Sequence, residues 1–241
     1  MGKSKKFKGK TCVYCGTPKS SQTGDHVFAR EIFLPHRRDN LPQVPACNKC
    51  NNEKSGLEHY LTTVLPFGGK HRDALTNLEI LTPHRLEKNR KLHRHLAIDK
   101  QKGWINENGL FVPRVIIPFD GLKLEKLFCF IVKGLIWHHW KILLISDIFV
   151  RAGCIMKIAE QLFQNFFNGI SKQRVNIDLG NGTIRYEGIQ SVECPYLSLW
   201  KFSFYGGLKF GGDPKAHSEI STLIWGLTGK TKAIPDMWLQ S

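Results

Sequence analysis

The sequence predicts an α+β chain in two parts: a small metal-stapled module with a helical extension, then a second α+β unit. Three observations predict it. Two C-x-x-C pairs, Cys12–Cys15 and Cys47–Cys50, enclose short strand-like runs and lead into a helical pattern. Apolar residues then recur at helical spacing through residues 72–99. Beyond residue 100, strand-like runs with turn signals surround an apolar helical stretch.

Taken in order, residues 1–10 are Lys-rich with no apolar stretch behind them, and read as a flexible basic tail. Residues 11–18 read as a knuckle, with Gly16 and Pro18 turning the chain after the first cysteine pair. His26-Val27-Phe28 begins a short strand. Leu41–Val44 is its expected partner, Pro45 ends it, and His36-Arg37-Arg38 lies on the connection. Asn48 or Asn51 is placed to cap a helix running through Glu53, Leu57 and Leu61. Phe67-Gly68-Gly69 marks a loop, and the leucines from Arg72 to Asp99 predict two helices divided at Pro83. A soft boundary near residue 100 gives a module over 11–100 and an accessory α+β unit over 101–241, with no linker-like composition between them. In the second unit, Trp104-Ile105, Gly109–Val112 and Val115–Ile117 read as strands. Leu122–Leu144 reads as one helix or two, and Lys157–Phe167 as another. Asn176–Leu179, Thr183–Tyr186 and Leu199–Tyr205 read as antiparallel strands, with Gly180-Asn181-Gly182 as a hairpin turn. Trp225 and Trp238 stand in a Gly- and Pro-containing tail with no element assigned.

At 241 residues, 41% hydrophobic and 23% charged, the composition is that of a globular chain. The net charge of +15 points to nucleic acid as partner, because phosphates attract such a surface regardless of sequence. Residues 1–100 carry 19 basic and 9 acidic residues, and hence most of the excess. The apolar stretch Leu122–Val150 is interrupted by Lys123, Glu125, Lys126, Lys133, Lys141 and Asp147 and contains His138 and His139, too great a polar load for a bilayer span. No secretory pattern is present and the seven cysteines suggest no disulfide framework, so a reducing cytoplasm is expected. Cys129, Cys154 and Cys194 read as packing residues, and Trp137-His138-His139-Trp140 as core tryptophans beside polar-tipped histidines.

Two C-x-x-C knuckles supply four thiolates in the spacing a tetrahedral structural zinc needs, and a redox dithiol does not require the second pair. Between them lies Asp25-His26, and Asn51 follows Cys50 directly. Asp25 and Asn51 offer oxygen to a hard divalent cation, magnesium or manganese, and His26 can take a proton from water. Lys54 is a candidate phosphate contact. So are Arg37, Arg38 and the stretch from Arg85 to Arg94, above all Arg90, Lys91 and Arg94.

These residues together resemble the HNH nuclease family, most closely its zinc-stapled members, over residues 10–60. The resemblance implies a core of two strands and a helix around a metal (ββα-metal). It implies His26 as general base, Asp25 and Asn51 as catalytic-metal ligands, and the four cysteines as zinc ligands. The family's middle asparagine falls where this chain has Pro42, so Asn40, just upstream, is only a weak counterpart for bracing the loop that presents His26. The implied function is a divalent-metal-dependent endonuclease on double-stranded DNA, of the kind found in phage, mobile elements and bacterial defence. An RNA-directed nuclease with the same residues, and a non-catalytic zinc-stapled nucleic-acid-binding protein, are the alternatives. Residues 101–241 match no motif.

Overall fold

The computed structural model describes residues 6–107, 109–145, 147–156, 160–169, 172–208 and 220–230. Two short strands, β1 (Thr23–His26) and β2 (Gln43–Ala46), pair antiparallel with Asp25 opposite Val44 and His26 opposite Gln43. Pro45 does not end β2. It pairs with Gly24, which a two-stranded sheet permits because a proline's missing N–H can face outward. Helix α1 (Asn48–Val64) follows at once. Neither Asn48 nor Asn51 caps it; the cap is Cys47, whose Sγ accepts from the Cys50 N–H at 3.5 Å.

The helical extension is divided differently from the expectation. Helix α2 (Arg72–Thr76) passes through a π-helical turn (Asn77–Leu81) into α3 (Thr82–Lys88) without stopping at Pro83. Pro83 sits in the first turn of α3, where no N–H is required of it. The break falls at Asn89, whose side chain caps α4 (Arg90–Asp99) by accepting from the Leu92 N–H at 3.0 Å. A two-stranded ribbon comes next, β3 (Gln101–Glu107) with β4 (Leu110–Ile116), in which Pro113 lies inside the strand opposite Trp104.

The remaining strands form one antiparallel sheet in the order β5-β9-β8-β7-β6, from β5 (Phe149–Met156), β6 (Lys172–Leu179), β7 (Ile184–Ser191), β8 (Ser198–Phe204) and β9 (Ile220–Gly229). The Gly180-Asn181-Gly182 turn joins β6 to β7, all three residues holding positive φ. Alternation along the strands separates two faces. Ile189, Leu199 and Leu227 pack under α6 (Glu160–Gly169) with Phe163 and Phe167. Tyr186, Trp200, Phe202 and Phe204 look the other way, towards α5 (Gly121–Trp140).

Helix α5 is apolar nearly all round because both of its sides are covered. Towards the sheet, Phe128 meets Phe202 and Phe204 edge-on, and Val132 lies so close to Gly226 that a Cβ there would collide with it. Towards the N-terminal module, Phe130 meets Tyr14 at 5.0 Å between ring centroids, and Gly134 admits Val27. One hydrophobic core therefore runs from Cys12 and Val27 through α5 to Trp200 and Ile224. The chain is α+β, and the boundary near residue 100 divides its sequence but not its core.

The basic tail is shorter than expected. Phe7 is buried, and the Gly9 N–H donates to the Ser21 carbonyl at 2.8 Å, so the segment is docked from there onward. Residues 1–5, Trp238 and the expected helix start at Lys157 lie outside the described residues. No described helix is long and apolar enough to cross a membrane.

Candidate functional site

The four cysteines converge. Their sulfurs all lie within 4.8 Å of one another, with Cys15 and Cys47 Sγ 3.9 Å apart. Metal–sulfur bonds of about 2.3 Å in a tetrahedron require sulfurs about 3.8 Å apart, so the cluster fits a four-thiolate site. The Cys47 N–H also points at Cys12 Sγ at 3.3 Å, as suits a charged sulfur. Burial raises the Cys12 and Cys50 thiols. Cys15 is also raised by burial, but the neighbouring Thr17 hydroxyl and backbone outweigh this and bring it to about 6. The cluster could hold a metal ion that ties the first knuckle to the start of α1.

Within that frame, Asp25 and His26 occupy the end of β1 and point to opposite faces. The Asp25 carboxylate is 9% exposed. Its Oδ2 accepts from the Tyr14 hydroxyl at 2.5 Å and lies 3.0 Å from Lys54 Nζ, while no described residue bonds its Oδ1. Burial and the neighbouring Asp25 charge push the Tyr14 phenol far up, so it stays a donor. On the other face, the His26 imidazole is half-buried, with Nε2 at 2.7 Å from the Gln43 amide directly across the ladder. Burial first, and then the Arg30 guanidinium, lower its pKa below 6.5, so it is neutral at pH 7. Asn51 is half-buried in the first turn of α1, three residues before Lys54 and hence on the helix face that looks at β1. Asn40 is exposed at φ 55, and the loop after His26 is braced instead by Val27 N–H donating to the Pro42 carbonyl at 2.8 Å.

Several expected phosphate contacts are turned inward. Lys54 is fully buried: Nζ donates to the His26 carbonyl at 2.7 Å, and pairs with Asp25 and, at very short range, with Glu58. It has no surface to offer a phosphate, because two carboxylates and a carbonyl use its three donors. Removing one partner from such a buried charged group typically costs about 3–5 kcal/mol. Arg37 donates to the Gly180 carbonyl at 2.6 Å and lies 3.4 Å from Asp73, holding the β6–β7 turn against the module. Arg38 donates to the Phe33 carbonyl at 3.0 Å, and Arg85 to the Thr62 and Glu31 carbonyls at 2.6 Å each. Arg90, Lys91 and Arg94 remain exposed, since α4 buries only Leu92 and Leu96. Arg90 and Arg94 line an open groove of about 380 Å³ with Glu87, His93 and Ala97.

Tyr14, Gln43 and Glu58 were not legible as site residues. Tyr14 lies between two cysteines that claim attention, Gln43 is found only from the hairpin register, and Glu58 only from its helical spacing to Lys54. Burial pushes Glu58 up to about 7 against the opposing pull of Lys54. A carboxyl raised in the folded state from an ordinary 4.5 keeps its proton longer there than in the unfolded chain. Stability is therefore lost as pH rises from below the unfolded value through about 7. Glu58→Gln removes that group, so Tm measured by calorimetry between pH 5 and 8 is expected to vary less than in wild type. An unchanged dependence would assign the titration to another residue.

In the C-terminal part, His139 Nε2 lies 3.0 Å from the Tyr186 hydroxyl and Trp140 packs on Trp200, so the Trp-His-His-Trp stretch is spent on packing. Cys129 and Cys154 pack against the main core, and burial raises both thiols to about 11. No family model, curated protein or solved structure matches the chain.

Proposed function

We propose that the chain is a divalent-metal-dependent endonuclease with an HNH-type ββα-metal core, hydrolysing phosphodiester bonds of double-stranded DNA. The observation that carries this reading is the meeting of three things in one small frame. An Asp-His strand end meets helix α1 through Lys54, Asn51 stands one turn before that lysine, and four cysteines close enough to share a metal ion lie on the first knuckle and at the start of α1. A structural zinc on Cys12, Cys15, Cys47 and Cys50 suits the donor set and its spacing.

His26 removes a proton from water, and its lowered pKa leaves it unprotonated for that task at neutral pH. Gln43 orients the ring, its amide nitrogen lying 2.7 Å from His26 Nε2. Asp25, through Oδ1, and Asn51 are the residues to hold magnesium or manganese, with the substrate phosphate completing the set. Such an ion, when bound, offsets charge on the phosphorane oxygens and neutralises the leaving 3′-oxygen. Tyr14 and Lys54 fix the Asp25 carboxylate by its other oxygen, which keeps Oδ1 in place. The products are a 5′-phosphate and a 3′-hydroxyl.

The Lys54 charge 3.0 Å from Asp25 repels a cation at the same carboxylate. It favours weak ion binding, and it is also the observation that favours a second reading, a non-catalytic zinc-stapled nucleic-acid-binding protein. One experiment separates them. Plasmid nicking is expected with magnesium or manganese, to vanish in EDTA and to return when the ion is restored. Brief chelation leaves the zinc in place, because four thiolates hold it more tightly. Asp25→Asn and Asn51→Ala are expected to raise the ion concentration giving half-maximal rate. Absence of cleavage under all ions, with duplex binding intact, would establish the second reading.

A further inference from the structure

We propose that the β3–β4 ribbon is the surface on which an unpaired stretch of nucleic acid lies, with one base held between Trp104 and Phe111. This rests on the reading that the chain binds nucleic acid, but not on its cleaving it. Trp104 is 69% exposed and Phe111 70%, two large aromatic rings on a ribbon whose one extensive neighbour among the described residues is its own partner strand. Trp104 pairs with Pro113 and Phe111 with Asn106, so Trp104 and Phe111 share a face as diagonal neighbours. Diagonal positions on an antiparallel pair are about 7–8 Å apart. That is about twice the 3.4 Å rise between stacked bases, which leaves the thickness of one base between the rings.

The charge around the ribbon says what covers it. Helix α4 leads into β3 through Lys100 alone, and its exposed Arg90, Lys91 and Arg94 are joined by exposed Lys100 and Lys102. The groove holding Arg90, His93 and Arg94 lies on the same helix. A second copy of a chain with net charge +15 would be repelled from this surface, whereas a polyanion with flat apolar faces matches both its charge and its rings. In an intact duplex the base faces are already stacked, so the ribbon selects a strand whose bases are free.

The test measures anisotropy of labelled oligonucleotides without divalent cation, for wild type and the Trp104→Ala/Phe111→Ala protein. The probes are a single strand, a blunt duplex, and the same duplex with a single-stranded overhang. Base–aromatic stacking lost to alanine lowers affinity by about tenfold or more per base. The double variant is expected to lose that on the single strand and the overhang, to hold the blunt duplex as wild type does, and to keep its Tm. Its log–log salt slope should not change, because the rings neutralise no phosphate. Unchanged affinity for unpaired DNA would overturn the proposal, as would an equal loss on the blunt duplex. A shift from dimer to monomer in sedimentation would also overturn it, by making a second copy the occupant. A wild type that binds the overhang tightly yet never cuts refutes the nuclease reading alone. A wild type that cuts while the double variant binds normally refutes this proposal alone.

Discussion

His26→Ala is expected to cut plasmid DNA about 100- to 10,000-fold more slowly than wild type, the usual cost of losing a positioned base. Affinity for DNA should stay the same, since a base adds little to ground-state binding. The side chain packs only at the strand end and is half-exposed, with one hydrogen bond to Gln43, so its loss should leave the fold intact. Nicking assays with magnesium or manganese, paired with equilibrium binding, measure both quantities. A near-wild-type rate would remove His26 from the reaction and with it the proposed core.

The second large effect concerns the cysteine cluster. Wild-type protein is expected to carry one tightly held zinc through gel filtration, and Cys47→Ser to lose it. Structural zinc in small isolated modules supplies about 10–16 kcal/mol of apparent binding energy. A module with residues 11–50 on their own would depend on it wholly. Here Tyr14, Val27 and Phe28 are also buried against α5 and the sheet, so the loss is shared with an apolar interface. Cys47→Ser should therefore lower Tm strongly and abolish cleavage while circular dichroism still reports the β5–β9 sheet. Well-folded wild-type protein without zinc by elemental analysis would contradict the structural-metal assignment.

What could be read from the sequence was set by how local its cause is. The cysteine pairs, the Gly-Asn-Gly turn and the apolar helix at Leu122 depend on neighbours a few residues away; the first two stand where they were expected, and the helix is a single one that ends at Trp140, short of Leu144. Strands β5 and β9 did not announce themselves. Their pairing joins Phe149 to Gly229, and their sequences, Phe-Val-Arg-Ala-Gly and Ile-Trp-Gly-Leu-Thr, mix small, charged and apolar residues because both faces of the sheet are covered. Basic residues were the least legible. The spacing of Lys54 to Glu58 hints at one ion pair, but nothing near Lys54 or Arg37 in sequence indicates that the first would be buried against Asp25 as well and the second would clasp a turn formed by Gly180 and Asn181. For Arg90, Lys91 and Arg94, exposure follows from the spacing of Leu92 and Leu96, which is a local signal.

The Tyr205 hydroxyl donates to the Ile32 carbonyl at 2.8 Å across 173 residues of sequence, just beyond the strand end that carries Asp25 and His26. Time enters through that bond. A ribosome adding about 5–20 residues per second delivers Tyr205 roughly 10–35 s after Ile32. For most of that interval, from Cys50 onward, the emerging chain has all four thiols and can capture its ion, but the loop after His26 lacks the support that Tyr205 and the β6–β7 turn give it in the finished molecule. On the proposed reading, the nascent protein is stapled early and becomes able to cut only once Tyr205 has been added, so that a product truncated before it, though bearing every motif residue, would be harmless to the nucleic acid around it.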